Sequence, residues 1–254
     1  MSSAPVEVVA LRDLDVDPDV ESIQPFYRDV LAVSFSPDEL GDLDAFVAGV
    51  RGEGVAQVLA SVALGRDGDV LGGIVGEVYA PEGVLLLAYL AVRPDIRGRG
   101  IGTMLMEHVA PRWYTRPGVR VALAEVHDPR RWSGVVGEDP LSRLRLYERL
   151  GARVLGVPFI QPALGPDRAR VPGFLLLAFH VDPSVEVEHD GESAVRSDLV
   201  GRFVRRYYET AEGITAPYDF QLGELLRRIE DHATIRLLPL AEYESVELLP
   251  GPPE

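Results

Sequence analysis

Val84–Val92 is an unbroken apolar run of nine residues, and three glycines follow closely in Arg97-Gly98-Arg99-Gly100-Ile101-Gly102. A short run without polar alternation predicts a strand covered on both faces, hence a central strand. Beyond the glycines, Ile101, Met104, Leu105 and Val109 recur at helical spacing, so the glycines fall where a strand turns into a helix N-terminus. Unpaired backbone N–H groups and the positive end of the helix dipole converge on an anion there, and glycine lets a pyrophosphate come close to the backbone.

Two common glycine motifs are excluded. The dinucleotide fingerprint GxGxxG needs a third glycine where Leu105 stands, and a Walker A loop needs a lysine, which the chain lacks entirely. What remains resembles the acyl-CoA-binding motif of the GNAT superfamily of N-acyltransferases, R/QxxGxG/A after a strand. Arg97, Gly100 and Gly102 match it, and Val92-x-Pro94 fits the preceding pattern. The resemblance implies acetyl-CoA as cosubstrate, its pyrophosphate held by Arg97, Gly98, Arg99, Gly100, Ile101, Gly102 and Thr103. It also implies that Leu90, Ala91 and Val92 offer a strand edge to the pantetheine amides. The competing reading is an ordinary strand-turn-helix with tight packing.

The absence of cysteine and lysine removes thiol nucleophiles, thiolate metal ligands and Schiff-base chemistry. Five histidines without metal-ligand spacing leave no support for a metal site. The net charge of −15 is uneven. Residues 1–53 carry −9 and residues 183–254 carry −8, against +2 in between, so the proposed anion-holding segment is the non-acidic part and the flanks would repel nucleic acid. Without a membrane-length apolar run, a signal-like start or a disulfide framework, a cytoplasmic protein with no membrane partner is expected.

In chain order, Val6–Leu11 reads as a strand and Pro18–Ser34 as a helix, and a capping box at Ser36-Pro37-Asp38-Glu39 predicts the start of a second helix. Val55–Leu64 and Val70–Tyr79 read as an antiparallel hairpin, followed by the strand Gly83–Val92. The helix after Gly100 is expected to end or kink near Ala110, because Pro111 has no N–H. Val119–His127 reads as a strand that puts Glu125 and His127 on one face near its carboxyl end, and 128–139 as a polar loop. Asp139 caps a helix that begins at Pro140 and ends at Gly151. Ala152–Ile160 and Gly173–Val181 close the sheet, Ser193–Tyr208 and Asp219–His232 read as helices, and Thr234–Leu238 as a strand.

Leu146-Tyr147-Glu148-Arg149-Leu150-Gly151 resembles the family's second signature, LYExLG, and the two signatures occur in the family's order. The resemblance implies an α/β fold with a mixed sheet, the GNAT acyl-CoA N-acyltransferase fold, over residues 5–182. A helical C-terminal extension over 183–254 serves packing or oligomerisation, with a homodimer as one outcome. It also implies acyl transfer, most simply acetyl, to a primary amine by direct attack in a ternary complex, the amine being a small molecule or a peptide.

Tyr147 takes the place of the acid that protonates the leaving thiolate, and Glu125 that of a general base for the substrate ammonium. Glu77 and His127 are its replacements, and Glu77, Tyr89, His127 and Trp132 are substrate-side candidates. Packing is the alternative for Tyr147, and a salt bridge or backbone hydrogen bond for Glu125. Pro140 replaces a cofactor-binding asparagine of the family, and Glu125 and Tyr147 lie 22 residues apart, several more than is common there. The surplus is the 128–139 loop, expected to line the acceptor pocket with Arg131 and Trp132. Two readings remain beside this one: a non-catalytic acyl-CoA-binding module, and a nicotinamide oxidoreductase disfavoured by the failed fingerprint.

Overall fold

The computed structural model describes residues 8, 10–16, 20–53, 57–134, 139–214 and 219–249. Two compact units emerge, one of residues 1–78 and 87–116 and one of 79–86 and 117–254.

In the first unit, β1 (Ala10–Asp13) pairs antiparallel with β2 (Gln57–Leu64), and β2 pairs antiparallel with β3 (Val70–Tyr79), the hairpin expected from two β-rich runs around a short turn. The tight turn between the last two is held by Gly65 N donating to Asp69 O at 2.8 Å. The second half of β4 (Val84–Val92) completes this part of the sheet.

The expected helix over 18–34 is two pieces, α1 (Val20–Pro25) and a π-helical turn over Phe26–Leu31. Pro25 cannot donate to the carbonyl four residues back, and the ladder beyond it widens, with Ala32 N donating to Tyr27 O. The wider turn buries Phe26, Val30 and Leu31 together. The capping box is present but closes only a single 3-10 turn, Pro37–Glu39, because Leu40 is extended. The helix proper, α2 (Leu43–Val50), starts afresh after Asp42.

β4 also corrects the sequence reading. Val84 to Leu87 are buried, but Ala88, Leu90 and Val92 are half-buried while Tyr89 and Ala91 are covered, so the strand alternates in its second half. Of the two outcomes expected near Pro111, an end or a kink, the end does not occur, because α3 (Ile101–Trp113) runs through it. Its last turn is anchored by the buried Trp113 indole, and Thr115 Oγ1 donates to Pro111 O at 2.8 Å.

In the second unit, β5 (Val121–His127) lies parallel to the first residues of β4, Val84–Leu86. A parallel pair requires a crossover, which the chain containing α3 supplies. The segment 128–139 is not all loop, since Asp128 caps a short helix, α4 (Pro129–Trp132); residues 135–138, with Gly137, lie outside the described residues. α5 (Pro140–Arg149) is capped as expected, Ser142 N donating to Asp139 Oδ1 at 3.0 Å, and ends at Gly151 with φ of +80°. β6 (Arg153–Gln161) and β7 (Val171–Val181) follow, with β7 between β5 and β6.

Beyond residue 182 the chain holds helices, as expected, and three strands as well. β8 (Glu186–His189) and β9 (Glu192–Arg196) form a hairpin where the sequence reading began a helix at Ser193. Its two-residue turn is Asp190-Gly191, with φ of +52° and +82°, a hairpin signature that outweighs the helical spacing downstream. α6 (Ser197–Glu212) and α7 (Phe220–Glu230) lead to β10 (Thr234–Pro239). This last strand pairs antiparallel with β6 on one side and β9 on the other, so the C-terminal segment extends the sheet. No described helix is long and apolar enough to cross a membrane.

Candidate active site

The glycine turn of the first unit is exposed from Arg97 to Gly100 and leads into α3 at Gly100, whose φ of +81° is open to glycine without strain. The helix N-terminus carries no side-chain cap and no acidic residue in its first turn. Ile96 N donates to Arg93 O and Met104 N to Gly100 O, and the first-turn amides of α3 have no carbonyl four residues back within the helix to accept them.

A Cβ at Gly102 would meet only Leu90 Cδ2, at 4.0 Å, so the chain's own packing does not require glycine there. A ligand lying close to the backbone would. The site therefore fits the diphosphate of coenzyme A by its donors, its dipole and its open floor.

The Arg97 side chain folds back, Nε donating to Val92 O at 3.1 Å and Nη2 to Ser34 Oγ at 3.1 Å. It braces the turn against the end of β4. Of the other first-unit candidates, Glu77 is half-buried on β3, opposite Val58. Tyr89 belongs to the hydrophobic core, its ring edge-on to Phe35 at 5.1 Å and its hydroxyl accepting from Gly41 N at 3.2 Å.

In the second unit, Glu125 near the end of β5 accepts at Oε2 from Gln161 Nε2 at 2.9 Å and from Tyr207 OH at 3.3 Å. Both donors are side chains, so the salt-bridge and backbone readings of Glu125 do not describe these contacts. Neither contact is legible in the sequence, where Tyr207, like Tyr208, reads as packing. Gln161 is the polar end of an apolar strand, and Tyr207 repeats Phe203 at helical spacing on the covered face of α6.

His127 is buried and stacked face to face on Trp132, centroids 3.8 Å apart, with Phe174 at 4.8 Å. Trp132 Nε1 donates to Gly173 O at 3.0 Å. The expected pair at the carboxyl end of β5 thus separates into a carboxylate among polar side chains and an imidazole in an aromatic stack.

Tyr147 is buried on α5, its ring edge-on to Phe179 at 5.2 Å. Burial pushes its phenol above the ordinary tyrosine value, and Arg143, one turn earlier on the same helix, pulls the other way. Arg143 Nη1 also lies 3.4 Å from His127 Nδ1. No group of three or more potential metal ligands clusters among the described residues.

A mixed sheet whose central strand leads through an open glycine turn into an uncapped helix is the architecture of the coenzyme A-dependent N-acyltransferases. The acetyltransferase (GNAT) family model matches residues 20–152, and the chain belongs to that family of acyltransferases.

No curated protein matches. A GNAT-family protein of Bacteroides thetaiotaomicron, described as an acetyltransferase, is similar in structure at 18% identity and a TM-score of 0.51, over 67% of this chain and 86% of that one. The ribosomal-protein-S18-alanine N-acetyltransferase of Escherichia coli aligns at 18% identity and 0.44, over 71% and 96%. An aminoglycoside 6'-N-acetyltransferase solved with coenzyme A aligns at 17% and 0.46, over 69% and 99%. The likeness to the first of these, the one with a TM-score above 0.5, speaks for the fold alone. The family model establishes the resemblance read from the two signatures and with it the acyltransferase class, and the sheet is the mixed α/β one expected.

Proposed function

We propose that this protein transfers an acetyl group from acetyl-CoA to a primary amine by direct attack in a ternary complex. What carries the cosubstrate reading is the exposed glycine turn that leads into the uncapped N-terminus of α3, whose first-turn amides have no acceptor within the helix. Those amides and the α3 N-terminus bind the pyrophosphate, and the Leu90–Val92 segment of β4 binds the pantetheine amides. A backbone N–H of the same strand polarises the thioester carbonyl.

Glu125 takes a proton from the substrate ammonium, directly or through water, and frees the nitrogen lone pair. The nitrogen bonds to the acyl carbon, the C–S bond breaks, and the sulfur leaves with its electron pair. Tyr147 gives the phenolic proton to that sulfur, and the second proton that the acylated nitrogen loses passes through water to restore the phenol. Burial disfavours the phenolate left behind, and the nearby positive charge of Arg143 favours it, so the pair sets how readily the proton is released.

The acceptor is a primary amine of one of five classes: a peptide N-terminus, a lysine side chain, a polyamine, an antibiotic or a small metabolite. Titration calorimetry with acetyl-CoA and with NAD, followed by thiol-release assays on an amine panel drawn from all five, tests the reading. Heat from acetyl-CoA alone and thiol release with at least one amine support it. Heat from NAD, or no thiol release across the panel, would refute it.

A further inference from the structure

The C-terminal segment does more than extend the sheet. Tyr207 on α6 is buried, its ring parallel to Phe203 at 5.6 Å and edge-on to Tyr79 at 6.0 Å, with Phe203 itself edge-on to Tyr79 at 5.3 Å. A phenylalanine would fill the same volume and keep the same ring contacts. The hydroxyl is an addition that this packing does not need, and it donates to Glu125 Oε2.

Gln161, also buried, donates to the same oxygen from the end of β6. Two rigid elements therefore grip one oxygen of the carboxylate, and two donors at Oε2 direct an incoming proton to Oε1.

We propose that Tyr207 is a positioning residue of the acetyltransferase: it acts through Glu125, together with Gln161, and makes residues 183–254 a working part of the acceptor-side chemistry. The inference rests on the reading of Glu125 as the general base. Tyr208, next along the helix, serves another purpose, because its hydroxyl donates to Ile160 O at 2.8 Å and its ring lies under the Arg170 guanidinium. It still lies within electrostatic reach of Glu125, with Arg170, Glu212 and Asp219 beside it, so these are the charges that a pH experiment must leave untouched.

The test compares the full-length protein with Tyr207→Phe, Glu125→Gln and the double variant. The assay is thiol release from acetyl-CoA across pH, using whichever of an alanine-leading peptide, spermidine or kanamycin turns over fastest. Carbon-13 NMR of glutamate-labelled protein follows the Glu125 carboxyl, assigned by its loss in Glu125→Gln.

Tyr207→Phe is expected to lower kcat about three- to tenfold, to leave the KM for acetyl-CoA unchanged, and to move the acid limb of the rate profile and the Glu125 titration together to higher pH. Added to Glu125→Gln it should cost nothing further.

An unmoved carboxyl titration in Tyr207→Phe overturns the contact, and a moved titration with an unmoved rate profile reduces it to packing. Either leaves Glu125 as the base if Glu125→Gln abolishes the acid limb. A Glu125→Gln profile identical to wild type overturns the base assignment and this inference with it.

Discussion

Arg130 closes on Asp128, two residues earlier, with Nη2 to Oδ2 at 2.6 Å and Nε to both carboxylate oxygens, while Asp128 is fully buried. The same guanidinium donates to the carbonyls of Glu244 and Val246, so the segment after β5 is tied to the C-terminal end of the described chain. Removing the carboxylate leaves a largely covered guanidinium without its counter-charge, and α4 without its cap. Asp128→Ala should lower stability by about 3 kcal/mol in urea unfolding. A loss below about 0.5 kcal/mol would show the pair to be idle.

Gly102 separates binding from folding. Its missing Cβ faces open space in the protein, and a helix position ordinarily gains from alanine. Gly102→Ala should hold or raise Tm while weakening acetyl-CoA about tenfold or more by calorimetry, which is about 1.4 kcal/mol. Unchanged affinity would remove Gly102 from the cosubstrate site.

Tyr147→Phe keeps the edge-on contact with Phe179 and deletes only the hydroxyl. The maximal rate should drop about 100-fold, within the usual range for a lost general acid, with the KM for acetyl-CoA steady and the high-pH limb altered. A variant with wild-type rate and high-pH limb would return Tyr147 to packing alone.

Arg170 gathers Glu212 and Asp219, the latter through Nη1 to Oδ1 at 2.8 Å. The hydrogen bond from Arg170 holds the Asp219 carboxyl below the usual aspartate range, and the Leu222 amide adds to the effect. Since the folded value is the lower one, the stabilisation is complete above the unfolded value of about 4 and is lost as pH falls through the folded value. Asp219→Asn, which can still cap α7, should be less stable than wild type at pH 7, with the difference shrinking below about pH 4. A gap independent of pH would show that the charge contributes nothing.

Local chemistry made several elements legible in the sequence, because each signal acts within a few residues. The apolar run into Gly100 announced β4 and the N-terminus of α3, and Asp139-Pro140 announced α5. The same short range explains the misses. The cap at Ser36 closes a turn whether or not a helix follows, and Pro111 is tolerated because a buried tryptophan two residues later holds the last turn. The Asp190-Gly191 hairpin obeys an equally local rule and prevails over the helical spacing, which takes effect only from Ser197.

The two family signatures, the lack of lysine and cysteine, and the glycines placed where a backbone must bend were all determined by the order of residues alone. Which side chains surround Glu125 was not. Gln161 and Tyr207 stand 36 and 82 residues away from it, and no periodicity spans such a distance. Only the folded sheet, with β6 and α6 closing on the end of β5, brings their donors to one oxygen. The same packing stacks His127 on Trp132, a neighbour that strand alternation alone does not reveal.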